Sequence, residues 1–177
     1  MKSSKVRMII LLVTVVILAC GYAFMKEKDV ANMDKKETAT TIPVYLVDAS
    51  LVDSFSVTSK ADGVLKFKRD GGVWKSENDP SIKINETIIN VILTNLTNIE
   101  ASSVIESPDL AKYGLDKPVS EYTVTIGGGT TTMQVGSSNP ITGEIYLMLN
   151  NDTSLVYTTP SNVSGPGTYS LTSLTAK

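Results

Sequence analysis

Chemistry in this chain must come from carboxylates, hydroxyls, lysines and a single thiol, because the sequence holds no histidine and one cysteine. Without His there is no Ser-His-Asp triad, no Cys-His dyad and no His-ligated zinc. One Cys allows neither an intrachain disulfide nor a four-cysteine metal site. Asp62, Asp70, Glu77 and Asp79 could offer oxygens to a hard cation, but their spacing fits no EF-hand loop, and acids in turns are ordinarily solvated. Eighteen Asp+Glu make chance carboxylate pairs inevitable, so a glycoside hydrolase built on two of them has little to rest on. Gly127-Gly128-Gly129 lacks the Lys-Ser/Thr and the following helix of a phosphate loop, and reads as a hairpin tip. Trp74 and Tyr113 could stack on a ligand; both read as core or half-core residues. Lys66, Lys68, Arg69 and Lys75 could form a basic patch on one hairpin; they read as a solvated strand face. No catalytic residue, metal ligand or cofactor site is therefore assigned, and a non-enzyme is expected. A formal net charge of −2 lacks the general basic character of nucleic-acid binders.

The N-terminal residues set where these groups would work. Residues 1–7 carry Lys2, Lys5 and Arg7 and no acid, and 8–25 run MIILLVTVVILACGYAFM without a charge. Such a run spans about 27 Å as a helix, close to the hydrocarbon thickness of a bilayer. The charges of Lys26, Glu27, Lys28 and Asp29 cancel, so the positive excess lies before the run, which puts the N-terminus in the cytoplasm and residues 26–177 outside. A second reading is a lipoprotein signal: Ile17-Leu18-Ala19-Cys20-Gly21 resembles a lipobox, with Cys20 as the lipidated residue. Either way membrane lipid holds the chain through residues 8–25. The external part, with 13 Lys+Arg and 18 Asp+Glu, is mildly acidic and should not adhere to anionic lipid by charge alone.

Residues 26–42 are charged and poor in large apolar side chains, and read as a flexible linker. A domain over 43–158 follows, then a mostly irregular tail, 159–177, rich in Ser, Thr, Pro and Gly. Period-2 alternation marks strands at 54–59 and 63–69, the second with Leu65 and Phe67 inward and Lys66 and Lys68 outward. Asp70-Gly71-Gly72 turns the chain into a return strand, 73–76. Residues 85–99 carry the main helix, with Ile88, Ile92, Leu96 and Ile99 on one face, Ile89 and Leu93 widening it, and Asn85 as N-cap. Residues 101–106 read as a strand or extended link. In 107–115, Ser107 caps a short helical turn that Gly114 ends in a left-handed conformation, with Leu115 folding back on Leu110. Further strands are expected at 121–126, 130–136, 144–149 and 154–158. Hairpins on either side of one helix predict an α+β fold of antiparallel β-hairpins packed on that helix, with one wet sheet face, plus the N-terminal transmembrane helix.

Several of these segments, in this order, resemble a known family. They are Phe67-Lys68-Arg69-Asp70-Gly71-Gly72-Val73-Trp74, the helix with Ile88, Ile92, Leu93 and Leu96, Asp109-Leu110-Ala111-Lys112-Tyr113-Gly114-Leu115-Asp116-Lys117-Pro118, Val135-Gly136, and Gly143-Glu144-Ile145-Tyr146. The family is the bacterial domain of unknown function numbered 4340, and the resemblance covers about residues 43–158. Its members often follow an N-terminal membrane segment and are often encoded beside ABC transporters of the gliding-motility type. The resemblance implies an accessory role outside the membrane and no catalytic residues. The expected function is a membrane-anchored extracytoplasmic interaction module serving an ABC-type transporter or another envelope complex. The alternative is a small-molecule or glycan-binding protein using the sheet face near Trp74. A carboxylate hydrolase comes third; it would need a cleft holding two carboxyls with raised pKa values.

Overall fold

The computed structural model describes residues 41–176. The candidate anchor 8–25, Cys20 and linker residues 26–40 lie outside the described residues. Among the described residues no helix is long and apolar enough to cross a membrane.

Alternation builds most of the sheet. Strands β1 (Ile42–Leu46), β2 (Ser54–Ser59), β3 (Gly63–Asp70) and β4 (Val73–Ser76) precede helix α1 (Glu86–Thr97). After it come β5 (Asn98–Ala101), β6 (Ser103–Glu106), β7 (Ser120–Ile126), β8 (Gly129–Ser138), β9 (Ile145–Leu149) and β10 (Leu155–Thr159). Eight strands form one antiparallel sheet in the order β4-β3-β2-β7-β8-β9-β10-β6, and β1 pairs with β5 in a separate two-stranded sheet. The expected antiparallel α+β arrangement is present. Two hairpins close through paired glycines: Gly71 and Gly72 have φ of +59° and +84°, and Gly127 and Gly128 have +55° and +84°. L-residues with a Cβ resist those values, which is why glycine occupies both tips.

The helix links the two ends of the sheet. It leaves from beside the edge strand β4 and delivers the chain to β6, the opposite edge. Asn85 caps it, its Oδ1 accepting from the N–H groups of Thr87 (3.1 Å) and Ile88 (3.3 Å). Glu86 sits in the first turn, and its Oε1 also accepts from the Trp74 N–H of β4 at 2.9 Å. Ile89, Ile92, Leu93 and Leu96 are buried against Phe55, Val57, Leu65, Phe67, Trp74, Tyr122, Val124, Met133, Val135 and Leu147 in one core. Each such side chain contributes about 1.5–3 kcal/mol before conformational entropy is subtracted.

Between residues 85 and 115 the structure departs from the sequence reading in three places. The helix ends at Thr97 rather than at 99, because Ile99 pairs with Tyr45 of β1 and so belongs to β5. Ile88 is half-buried, and the buried face centres on Ile89 and Leu93. The segment 101–106, read as a strand or extended link, is the strand β6 over Ser103–Glu106, held by β10, while Ala101 ends β5, held by β1. Ser107 has φ of +48° and caps nothing; a 3-10 helix, Leu110–Tyr113, follows Asp109, too short to complete an α-helical ladder. Its ending matches expectation: Gly114 has φ of +67°, and the Leu115 N–H donates to the Leu110 carbonyl at 3.0 Å.

Residues 159–176 finish β10 and then form two 3-10 helices, Ser161–Thr168 and Thr172–Leu174, that put Val163 and Leu174 into the core. The buried Tyr122 hydroxyl accepts from the Gly167 N–H (3.0 Å) and donates to the Ser164 carbonyl (3.3 Å). Burial pushes that hydroxyl above the ordinary tyrosine range, while its bonds to Ser120 and Gly167 act the other way. A Ser- and Thr-rich composition hides this packing, because the few apolar residues, Val163, Tyr169, Leu171 and Leu174, are scattered among polar ones and form no regular period.

Candidate functional site

The two faces of the eight-stranded sheet have different fates. The inner face carries the core and the helix. Among the described residues the outer face is covered over its β9-β10-β6 end and the adjoining part of β8. There Met148, Val156 and Ile105 meet Leu110, Tyr113 and Leu115 of the segment that crosses from β6 back to β7. The close approach requires Gly136: a Cβ there would run into the Tyr113 carbonyl and the Leu115 side chain. Thus Tyr113-Gly114-Leu115 and Val135-Gly136, distant in sequence, are two sides of one contact. Tyr113 packs edge-on against Tyr146 with ring centroids 4.7 Å apart. Gln134 marks the border, its Nε2 donating to Glu121 Oε2 (3.2 Å) and to Asn151 Oδ1.

Over β4, β3, β2, β7 and the start of β8 the outer face carries mainly polar side chains in cross-strand rows, with Val64 and Val73 exposed among them. Lys66 lies across from Ser56, Ser56 from Thr123, and Thr123 from Thr132. In the next row Lys75, Lys68, Ser54, Thr125 and Thr130 follow in order. Because β2 presents only small hydroxyl side chains between longer neighbours, a groove of about 140 Å³ runs along it. Ser54, Ser56, Lys66, Glu77, Thr123 and Thr125 line it, with Phe55 and Phe67 at its floor. Thr58 donates to the Glu121 carbonyl, and Thr125 and Thr130 bond each other at 3.4 Å. No such bond engages the Ser54, Ser56, Thr123 or Thr132 hydroxyl among the described residues.

The sequence-nominated groups separate on this frame. Lys66, Lys68 and Lys75 share the outer face, but Arg69 does not. Strand alternation turns it inward, where its guanidinium lies 4.9 Å from the Trp74 ring centroid and Nη1 donates to the Ser50 carbonyl at 2.6 Å. Trp74 is 2 % exposed and meets Phe55 edge-on at 5.1 Å, so its ring is a core element and cannot stack on a ligand. The alternative site on the sheet face near Trp74 is thereby corrected: the open face is the opposite one. Gly127 spends its N–H on Asp53 Oδ2 of the same chain, at 2.6 Å. Asp62 accepts from the Leu171 N–H (2.7 Å), Asp70 pairs with Lys75 (2.6 Å), and Asp79 accepts from Ser81. Among the described residues no three His, Cys, Asp or Glu side chains come together.

Among the described residues five carboxyls are shifted from their ordinary range, all downward. Hydrogen bonds from Ser50, Ser81 and Ser154 lower Asp48, Asp79 and Asp152. Lys75 lowers Asp70, first by its hydrogen bond and then by its charge. Bonds from Ser102 and Thr142 lower Glu144. Such groups stay ionised at neutral pH and cannot serve there as general acids. A wider groove of about 880 Å³ lies between the start of α1 and the C-terminal 3-10 helix, lined by Ile84, Asn85, Ile88, Thr172 and Thr175.

The hydroxyl rows escaped the sequence reading. Alternating Ser and Thr in β2 and β7 was the available signal, but nothing local says that those two strands, more than 60 residues apart, are neighbours.

A family model described as "Domain of unknown function (DUF4340)" matches the chain over residues 44–118 and 74–166. No curated protein and no solved structure matches it.

Proposed function

The chain belongs to the DUF4340 family, and from that premise we propose a non-enzymatic interaction module, anchored in the membrane by residues 8–25 and working outside the cytoplasm. It serves an ABC-type transporter or another envelope complex. One observation carries this reading: among the described residues nothing covers the largely polar outer face of β4, β3, β2 and β7, although the same face is sealed over β9, β10 and β6. A sheet that needs no second layer for its core can present such a face to a partner. The charge-free run at 8–25, with its basic N-terminal flank, supports the anchor and its orientation. Lipidation at Cys20 would place the domain on the same side.

The test is purification of the intact chain from membranes in mild detergent, with its partners identified. A transporter component or another envelope protein should accompany it. Recovery of the chain from cytosol removes the anchor, and recovery from membranes without any envelope protein removes the accessory role. The groove along β2 favours a second reading, ligand binding on the same face.

A further inference from the structure

We propose that the exposed side of α1, with the 3-10 helices beside it, is the interface of a homodimer in which two copies of this chain meet about a two-fold axis. This goes beyond the reading of the sheet's outer face. It uses the other side of the domain and stands or falls without that reading.

Charge is missing from this side. Residues 41–176 contain eight Lys+Arg and fourteen Asp+Glu, yet none lies in 87–99 or in 153–176. The two stretches meet in space. The Asn85 N–H donates to the Leu174 carbonyl at 2.8 Å, Asn162 Nδ2 donates to Asn95 Oδ1 at 3.4 Å, and Ile88, Thr172 and Thr175 line one groove. Three acids stand at the borders. Glu86 holds the Trp74 amide, Asp62 holds the Leu171 amide, and Asp48 follows Val47, whose N–H reaches the Thr97 carbonyl at 2.9 Å. The fold does not require the gap between them. Thr87, Asn90, Val91 and Thr94 are exposed on the helix, and Asn and Thr are weaker helix formers than the Lys, Glu or Gln that suit a solvated face. A face kept free of charge against helix propensity matches the charge-depleted centre of a protein interface.

The same pattern selects the occupant. Elsewhere two approaching copies set one acid excess against another and repel. Through this side they meet with no charge between them. A partner with a charged surface would have to bury its charges here without counter-charges, which is strongly unfavourable. The occupant is therefore uncharged over its contact, and this side of the same chain is such a surface. It also complements itself. The Thr94 hydroxyl is spent on the Asn90 carbonyl at 2.8 Å, but the Thr87 hydroxyl and the Asn90 side-chain amide have no partner among the described residues. Each of these groups both donates and accepts, so copies related by a two-fold axis can satisfy one another. Val91, mid-helix and 51 % exposed, supplies an apolar contact across the axis. A helix about 18 Å long cannot by itself cover the roughly 800 Å² per partner of a standard interface, so the 3-10 helices share the contact.

The experiment weighs the full chain in micelles of uncharged detergent by sedimentation, between about 1 and about 100 μM. The protein mass should rise from one chain to two over that range and go no further. V91K sets like charges across the axis and should raise the dimer dissociation constant about tenfold or more; V91E, of opposite sign, should do the same. V64K, at an exposed valine on the sheet's outer face, should stay within about twofold. C20S/N90C should link to itself under mild oxidation, and C20S/S56C should not. Unshifted Trp74 emission certifies that each variant is folded. A single chain at every concentration overturns the proposal. So does a dimer that V91K and V91E leave intact, which would place the contact elsewhere, or an equal loss in V64K. Cross-linking of C20S/S56C as readily as of C20S/N90C overturns it too. A monomer that holds another envelope protein and loses it in V91K gives this side to a different partner and also overturns the proposal. If only monomer is found while an envelope protein stays bound to V91K, this inference falls and the accessory role stands.

Discussion

The two ends of the sheet's outer face belong to one continuous series of hydrogen-bonded strands, yet one is dry and one is wet. Over β9, β10 and β6 the outward positions are Tyr146, Met148, Val156 and Ile105 with Thr158 and Ser103 beside them, and the 110–115 segment seals the apolar ones. Over β3, β2 and β7 the corresponding positions are mostly lysine, serine and threonine, with Val64, Asp70 and Glu121 beside them, and nothing among the described residues covers them. Sheet position alone does not decide burial; the outward residue of each strand does. A sheet face becomes core when its outward side chains are apolar and the chain supplies a cover. Otherwise it remains a surface with regular spacing, available for recognition.

That contrast can be broken from either side. Leu115→Ala on the sealed end should cost about 2–5 kcal/mol by leaving a cavity beneath the cover, measured as a lower urea midpoint from Trp74 fluorescence. The single tryptophan suits this purpose because it is buried. Gly136→Ala should cost about 1–3 kcal/mol by pushing the Tyr113 backbone off β8, and should raise Tyr113 exposure in chemical labelling. Unchanged stability there would mean that the cover does not press on the strand. Ser56→Val on the open end should shift stability by no more than about 0.5 kcal/mol, because no partner is lost and a β-branched residue suits a strand. A large loss in Ser56→Val would show that the open rows are held as structure rather than presented as surface.

Much of the fold is legible in the sequence. The glycine pairs at 71–72 and 127–128 announce their turns, since few other residues accept that backbone. The helix announces itself through apolar spacing, and Gly114 through its place after Leu110-Ala111-Lys112-Tyr113. What local pattern cannot supply is adjacency. The pairing of β2 with β7, the contact of Gly136 with Tyr113, and the docking of Val163 and Leu174 all join segments far apart in sequence. The candidate site consists of such adjacency, so its residues were visible singly and not as a groove. Arg69 was misplaced for a different reason: charge suggested grouping it with the lysines, whereas alternation from Leu65 and Phe67 already assigned it to the inner side.

Glu86 carries a consequence for assembly. By occupying the Trp74 amide it uses the hydrogen-bonding capacity at the middle of one sheet border. A neighbouring molecule adding a strand there would first have to displace a carboxylate, while among the described residues no side chain bonds the backbone of the opposite border, β6. An endless ribbon grown through this sheet would need two receptive margins on every subunit, and its described residues leave one, so edge-to-edge pairing through it would stop at a pair.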